Sequence, residues 1–472
     1  MNLAALLPAE ILAGTALAVL LADLFLPHRD KAYLGLLSAA GLAAALGGTA
    51  RQLAAGLHAS LWGGIFLLDP FALFFQTIVL GAALLVLGVS LPYLERWGRD
   101  DGEFYALLLM AVLGAMMMVA SRNFLEIYVA MELLSVSSYA LAGFLRPDPR
   151  SGEAALKYYL QGVLASAALL YGISLLYGLS GSLDLSVVGA RSAGSLGVVA
   201  LVLVAGGFAL KIAAVPFHMW APDTYQGAPA PVAAFLSTAS KAAAFSVLAR
   251  VLLTAFPAAQ GPWQELFAVV AAASMALGNL AALGQRNVRR MLAYSSIAQG
   301  GYVLIALAVA TPTAVAASLF YLAVYVFMNV GAFSVLSFLA GPTGGEELAD
   351  LDGLAERRPA LALALAVFLI SLAGMPLTAG LMGKLYLFYA AVQGGYAWLA
   401  LWGVVFTVVS YFYYFRVLRH LFWGTAPPRP AAPAASVPAG LALGAATLAT
   451  VLFGVFPQPL LQLALHSLGM LR

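Results

Sequence analysis

An all-α polytopic membrane fold of about fourteen transmembrane helices is predicted by three observations. The chain is 63% hydrophobic and only 9% charged over 472 residues, with a mean hydropathy of +0.95. Soluble domains of this size do not have that balance. Apolar runs recur to the end of the chain, each near the roughly 20 residues that cross a bilayer. Basic residues collect in alternate connections between those runs.

In chain order the spans are expected at 3–26, 32–50, 70–92, 103–120, 122–145, 152–178, 196–225, 229–253, 263–284, 289–309, 313–340, 359–393, 397–421 and 435–464. Run length and breakers set these limits. The first two close at Arg29 and Arg51, and the third opens at Pro70 and closes at Arg96. Spans four to six are bounded by the acidic stretch at 100–103, by Arg122, by Arg146 to Arg150, and by Gly181. Two spans are too long for one simple helix. The seventh contains Val215-Pro216-Phe217, and the twelfth contains Gly374-Met375-Pro376-Leu377-Thr378-Ala379-Gly380. Proline inside a helix loses a hydrogen bond and clashes with the carbonyl four residues back. In a membrane such breaks survive only against protein or a water-filled cavity. Paired breaks in two halves of a chain point to a transport site. The first run has no basic n-region and carries Glu10, so it is expected to be a retained helix rather than a signal peptide.

After odd-numbered spans lie Arg29, Lys31, Arg96, Arg99, Arg146, Arg150, Arg286, Arg289, Arg290, Arg357, Arg358, Arg416, Arg419 and Arg429. After even-numbered spans lie Arg51, Arg122, Arg191 and Arg250. This bias puts the odd connections in the cytoplasm and both termini outside. Spans 4–8 and 9–13 are expected to form two five-helix units, and an odd number of crossings inverts the second. The expected division within one membrane domain is 1–100, 101–255, 256–422 and 423–472, although no residue-level repeat is evident in the sequence.

Composition also excludes chemistry. There are no cysteines, which removes thiolate-held iron–sulfur clusters, thiol nucleophiles and disulfides. The five histidines, at 28, 58, 218, 420 and 466, include no helical pair spaced for a haem or a metal. No glycine-rich nucleotide loop is present, and the scattered basic residues do not suggest nucleic acid.

Four of the five lysines, Lys157, Lys211, Lys241 and Lys384, lie inside apolar segments, whereas nearly all arginines lie between them. A desolvated lysine can release its proton and an arginine cannot. The segregation therefore suits a protein that moves protons. Glu132 sits mid-span, where an ionisable group costs about 2.5–3.5 kcal/mol and wants a partner. Lys211 and Lys241 are the candidates, and a buried ion pair that only fixes packing is the competing reading. The proline at 216 frees the carbonyl of Ile212, beside Lys211. Lys241 follows Ser237, Thr238 and Ser240, which leave room for water, and Lys384 follows the second break. Lys157 lies near the start of its span, where snorkelling competes with function. His218 can relay a proton or cap the broken segment. Tyr294, Ser295, Ser296, Gln299 and Tyr302 put several polar groups on one span, for a water wire or for helix–helix hydrogen bonds.

These residues sit in strings with a family resemblance. Lys211-Ile-Ala-Ala-Val-Pro216-Phe-His218-Met-Trp220-Ala-Pro222-Asp223-Thr-Tyr225-Gln226-Gly227-Ala-Pro229-Ala-Pro231, with Ser240-Lys241, resembles subunit N of bacterial NADH–quinone oxidoreductase, respiratory complex I. Glu153-Ala-Ala-Leu-Lys157-Tyr158-Tyr159-Leu-Gln-Gly162, Met131-Glu132-Leu-Leu-Ser135 and Ala293-Tyr294-Ser295-Ser296-Ile297 do so too. The match runs from about span 4 to span 13, and Asp223 to Pro229 is its specific part.

The resemblance implies a fourteen-helix fold with inverted repeats. It implies a proton relay of Glu132, Lys211, Lys241 and Lys384, with Lys157, His218, Gln299 and Tyr294 as accessory positions. Many relatives have histidine where this chain has Gln299, which bridges water but carries no proton. No cofactor or metal is expected in this chain. NADH, FMN, iron–sulfur clusters and a quinone belong to other subunits, and the partners are the other membrane-arm subunits in a bacterial inner membrane. In the expected mechanism Glu132 pairs with Lys211, an interaction worth about 4 kcal/mol at about 4 Å and an effective dielectric of about 20. Breaking that pair sends the proton through Lys241 to Lys384 and out. The alternatives are the proton-channel subunit of a cation/proton antiporter or membrane-bound hydrogenase, and a structural spacer.

Overall fold

The computed structural model describes residues 3–26, 31–97, 102–339, 345–424 and 436–468. His28, Arg29, Arg99 and Arg429, and the division near residue 100, lie outside the described residues. The helices are α1 Leu7–Asp23, α2 Ala32–Ala54, α3 Pro70–Arg96, α4 Gly102–Ala120, α5 Phe124–Ala142, α6 Pro149–Ser180, α7 Leu185–Arg191, α8 Ser195–Lys211, α9 Trp220–Gly227, α10 Ala230–Phe235, α11 Lys241–Ala255, α12 Gln260–Leu283, α13 Val288–Val309, α14 Pro312–Leu339, α15 Leu354–Arg357, α16 Pro359–Ala373, α17 Ala379–Gln393, α18 Ala397–Trp423, α19 Val437–Val455 and α20 Gln458–His466. A small antiparallel hairpin, β1 Ala59–Leu61 with β2 Phe66–Leu68, joins α2 to α3.

Twelve helices or helix runs are long and apolar enough to cross a membrane. The shorter apolar helices α8 and α16 end at the two proline-containing breaks and are followed by α9 and α17. The last expected span, 435–464, is instead two helices. Phe456 and Pro457 end α19 and start α20, because proline cannot continue a helix whose turn needs its N–H.

Caps explain many starts. Asp69 accepts the N–H of Ala72 at 2.8 Å ahead of Pro70, and Asp148 accepts that of Arg150 at 3.0 Å ahead of Pro149. Each pairs an N-cap acceptor with a proline whose missing N–H is not needed in the first turn. The run from α10 through α11 is buried within the bundle over nearly all of its length, as are α13 and α14. These central helices hold the site, and α1, α2, α6 and α19 form the apolar exterior.

Ties between connections sort the chain into two ends. Arg96, ending α3, donates to the carbonyls of Ser337 and Phe338 at the end of α14 at 2.6 and 2.9 Å. Arg416, near the end of α18, donates to the carbonyls of Leu283 and Gln285 after α12 at 2.8 and 2.6 Å. Arg289 pairs with Glu346 at 2.5 Å. All three ties join connections that follow odd-numbered spans. At the other end Arg250, closing α11, makes a two-pronged pair with Asp69 at 2.8 and 3.0 Å, both buried.

Matching contacts recur 164 positions apart. A Cβ at Gly114 of α4 would meet the carbonyl of Ala130 and the N–H of Leu134. One at Gly278 of α12 would meet the carbonyl of Tyr294 and the N–H of Ala298. Glycine is required at both because the helix backbones touch. Asn123 and Asn287 cap α5 and α13. The Phe124 N–H donates to Leu183, and the Val288 N–H to Glu346, each at 2.9 Å. Ala213 and Leu377, one in each break, share a left-handed backbone with φ of 55° and 67°. For L-residues that conformation costs about 1–2 kcal/mol. The recurrence lives in backbone contacts, so different side chains mask it in the sequence.

Removing Asp69 strands the Arg250 guanidinium in the interior. Asp69→Ala is expected to destabilise the protein by about 3–5 kcal/mol. Asp69→Asn keeps the helix cap and should lose less. Thermal melting of the purified protein checks the order, and equal loss in the two variants would contradict it.

Candidate functional site

Lys211 is the last residue of α8, and the chain then unwinds over residues 212–219 until α9 begins at Trp220. The break is thus a whole unwound segment, not one lost hydrogen bond. Val215–Pro216 is a cis peptide. The Val215 N–H is accepted by Ser274 of α12 at 3.0 Å, and the Trp220 indole closes back on the Leu210 carbonyl at 2.9 Å. These contacts satisfy backbone groups that lipid could not.

The Lys211 side chain is 3% exposed. Its Nζ donates to Ser135 Oγ at 2.5 Å and to the Tyr139 hydroxyl at 3.4 Å. The rings of Tyr139 and Tyr158 lie 5.3 and 5.6 Å away. Aromatic faces stabilise a desolvated cation. Glu132 stands one turn before Ser135 on α5. The expected Glu132–Lys211 ion pair is not made. Glu132 forms no ion pair among the described residues, and its carboxylate accepts the hydroxyl of Ser166 on α6 instead. Glu132 is half-buried and turned towards α6, whereas the lysine approaches α5 a turn later. The Ser135 hydroxyl, itself donating to the Met131 carbonyl, stands where direct pairing was expected.

Lys241 follows a π-helical turn, Leu236–Ser240, that no feature of the sequence announced. Ser237 and Thr238 both donate to the carbonyl of Ala234, at 3.0 and 2.6 Å. Hydroxyls that compete for the preceding turn's carbonyl loosen regular helix geometry, and π turns recur at functional sites. Lys241 is 1% exposed and donates to the carbonyl and hydroxyl of Ser296, at 2.8 and 2.7 Å. A Cβ at Gly300 would sit 3.7 Å from both Lys241 Nζ and the Ile212 carbonyl. The carbonyl expected beside Lys211 therefore faces the Lys241 side of the break.

Lys384, on α17, reaches back over the second break. It is 1% exposed and donates to the carbonyls of Leu372 and Ala373 at 2.9 and 3.2 Å. Those are the last carbonyls of α16, the negative end of a helix and a natural seat for a cation. The Tyr302 ring lies 4.7 Å from the ammonium. Ser371 Oγ accepts the Gly380 N–H at 3.0 Å and so spans the break.

Gln299, one turn after Ser296 on α13, shares an acceptor with Lys384. Its Nε2 donates to the same Leu372 carbonyl at 3.0 Å and to the Tyr414 hydroxyl at 3.3 Å. Its Oε1 accepts the Tyr321 hydroxyl, and Tyr414 in turn meets Ser295 at 2.5 Å. A connected set of neutral hydrogen-bonding groups thus runs from Ser295, the neighbour of Ser296 in α13, through Tyr414 and Gln299 to an acceptor of Lys384.

Three expected positions stand apart. Lys157 is 42% exposed, paired with Glu153 at 2.6 Å and Asp223 at 2.7 Å. Tyr294 lies beside the Arg290 guanidinium, 5.9 Å from its ring, and Arg290 holds the other Asp223 oxygen at 2.5 Å. The His218 carbonyl, not its ring, receives the Ala221 N–H at 3.1 Å, and its Nδ1 has no partner among the described residues. Ser135 and Tyr139 were legible as polar groups three and seven positions after Glu132, one face of a helix. Ser166, Tyr321 and Tyr414 had no such signal, because each joins the site from another helix.

Among the described residues no carboxylate pairs with Lys211, Lys241 or Lys384. Each is held by hydroxyls, carbonyls or rings that accept an ammonium yet also tolerate a neutral amine. That is the chemistry of groups that exchange protons.

A family model described as NADH:quinone oxidoreductase/Mrp antiporter, TM, matches residues 121–410. The chain is 41% identical to NADH-quinone oxidoreductase subunit N of Trichlorobacter lovleyi, over 100% of this chain and 98% of that one. It is 44% identical to NAD(P)H-quinone oxidoreductase subunit 2 of Trichormus variabilis, over 89% and 82%. A chain of respiratory complex I from Thermus thermophilus superposes with a TM-score of 0.84 at 37% identity, covering 96% of this chain and 98% of that one. A chain of the Mrp complex from Dietzia sp. gives 0.88 at 23% identity over 99% and 97%, which shows a shared fold.

Ser371→Ala should leave the buried Gly380 N–H without an acceptor, at a cost of about 1–3 kcal/mol. Amide exchange should quicken across residues 374–383 and not in α13. Unchanged exchange there would show that Ser371 does not brace the break.

Proposed function

This chain belongs to the NADH:quinone oxidoreductase/Mrp antiporter family as an antiporter-like membrane-arm subunit related to subunit N, and on that premise we propose that it carries protons across the membrane through its buried lysines. The observation that carries the reading is the burial of three ammonium groups with no carboxylate among the described residues to hold them charged. An unpaired ion in a low-dielectric interior is costly, so a purely structural role does not account for three of them.

The proposed route begins at Lys211, held by Ser135 between Glu132 and the aromatic rings. The charge of Glu132 acts on Lys211 across the serine rather than by contact. A change at Glu132, which sits half-buried at the side of the bundle, weakens the hold on that proton. It then passes to Lys241 by the unwound segment, past Gly300, where the Ile212 carbonyl and Lys241 approach the same point. From Lys241 the groups at Ser296, Gln299 and Tyr414 lead to Lys384, which releases the proton outward. Gln299 reorients or bridges water and is not itself protonated. Lys157, Asp223 and Arg290 belong to the uptake end, and His218 and Tyr294 to its lining.

We further propose two inverted units, 101–255 and 256–422, framed by residues 1–100 and 423–472. The contacts that recur 164 positions apart support this, since five crossings separate them. The ties join odd-numbered connections at one end, and the excess of basic residues there supports a cytoplasmic location for them and outward termini, in a bacterial inner membrane. NADH, FMN, iron–sulfur clusters and quinone are placed in other subunits, with neighbouring membrane-arm subunits as the partners.

Lys241→Arg should assemble but lose about tenfold or more in pumping, equivalent to about 1.4 kcal/mol or more in the barrier, because arginine keeps its proton. Proton uptake by vesicles, normalised to assembled complex, is the measurement, and normal pumping would end the relay. Glu132→Gln should slow pumping more than Glu132→Asp, since only the former removes the charge. Equal effects would mean that charge is not the operative property.

A further inference from the structure

The N-terminal half of α16 and the body of α19 leave a cleft of about 840 Å³ between them, open to the side of the bundle. Its wall on α19 is formed by Gly440, Gly444, Leu448 and Val451, and its rim by Arg357 and Arg358. Nothing lies within 4 Å of where a Cβ at Gly440 or Gly444 would sit, and Leu448 is 67% exposed. The glycines are thus not making a close helix crossing. They hollow the cleft.

The two arginines are under-used. Arg357 Nη2 donates to the carbonyls of Asp352 and Asp350 at 2.9 and 3.3 Å, and its buried Nε has no partner among the described residues. Arg358 is half-buried, and among the described residues its guanidinium has no hydrogen bond or ion pair. Of the carboxylates on the same connection, Asp352 and Glu346 are engaged by His420 and Arg289, Asp350 accepts the N–H groups of Gly345 and Glu347, and Glu347 and Glu356 form no ion pair with either arginine among the described residues. The connections 340–344 and 425–435 contain no acidic residue. A guanidinium fork at a membrane edge with no ion pair among the described residues suits a phosphate.

The dimensions select the occupant. Gly440 to Val451 spans about 16 Å of helix at about 1.5 Å per residue. That is about half of a hydrocarbon core of roughly 30 Å. A transmembrane helix from another subunit would need the full depth, whereas an acyl chain of one leaflet needs half. We propose that this cleft binds an anionic phospholipid of the cytoplasmic leaflet, its phosphate at Arg357 and Arg358 and an acyl chain along Gly440, Gly444 and Leu448. Basic pockets between transmembrane helices on the cytoplasmic side recognise such headgroups. The site lies away from the lysines, so its failure leaves the proton route untouched.

The test uses the assembled complex with photoactivatable phosphatidylglycerol and phosphatidylcholine, and maps the labelled peptides. Phosphatidylglycerol should label residues 437–455 several-fold more strongly than phosphatidylcholine. The preference should fall to parity in the double variant Arg357→Gln/Arg358→Gln. Gly444→Leu, which fills the cleft and leaves the arginines, should reduce labelling by both lipids. An unchanged preference in the double variant overturns the proposal. So does a photoreactive residue in place of Leu448 that crosslinks to a neighbouring polypeptide instead of lipid. Should the double variant not assemble, competition on the unaltered complex decides. Excess phosphatidylglycerol vesicles must suppress labelling while phosphatidylcholine vesicles and inorganic phosphate do not, and equal suppression by all three overturns the assignment.

Discussion

An ammonium ion inside a lipid-embedded bundle must be solvated by the protein itself, because neither lipid nor bulk water is there to do it. Much of the central architecture follows from meeting that need three times without a permanent counter-charge. Lys211 takes a serine hydroxyl and two tyrosine rings. Lys241 takes a serine hydroxyl and carbonyl. Lys384 takes two carbonyls that end a helix. A carboxylate at any of these sites would hold the charge more firmly and make its proton harder to release.

Helix irregularities supply the acceptors of Lys384 and position the other two lysines, Lys211 at the end of α8 and Lys241 after a π turn. The carbonyls of a helix's last turn have no N–H partner of their own and are free to accept from a side chain, whereas Lys241 shares the Ser296 carbonyl of the uninterrupted α13. Ending α16 at Ala373 leaves its last carbonyls free for Lys384. Unwinding residues 212–219 brings the Ile212 carbonyl towards Lys241. The π turn before Lys241 is a third departure, maintained by the hydroxyls of Ser237 and Thr238. Left-handed Ala213 and Leu377 are local strain held by the surrounding packing, and strain of this kind gathers at working sites.

The 164-residue recurrence adds an order to these contacts. Ser135 on α5 and Gln299 on α13 stand in equivalent positions, as do Glu132 and Ser296. The first pair serves Lys211 and the link to Lys384, and in the second pair one member carries charge and the other holds Lys241. Equivalent backbone frames thus present different side chains to different lysines. The single carboxylate in this set is Glu132, at the half-buried side of the bundle, where the state of a neighbour can act on it. Buried ties at both ends, Arg250 with Asp69 and Arg289 with Glu346, fix the frame around the lysines.

The sequence by itself determined the class, the twelve long apolar spans, the two proline breaks and the lysines. Each is a local property: run length, a missing N–H, or an ionisable group in an apolar segment. It also carried the family strings around Lys211 and Glu132. Tertiary structure alone decided who holds each charge. Glu132 turned to Ser166 rather than Lys211, Lys157 moved out to Asp223, and Tyr414 arrived from α18 to complete the link through Gln299. Hydrogen bonds between helices depend on rotation and depth in the bundle, and helical periodicity fixes only which residues share a face. The contacts that recur 164 positions apart stayed hidden for the same reason, since backbone crossings at Gly114 and Gly278 constrain geometry while leaving the neighbouring side chains free to differ.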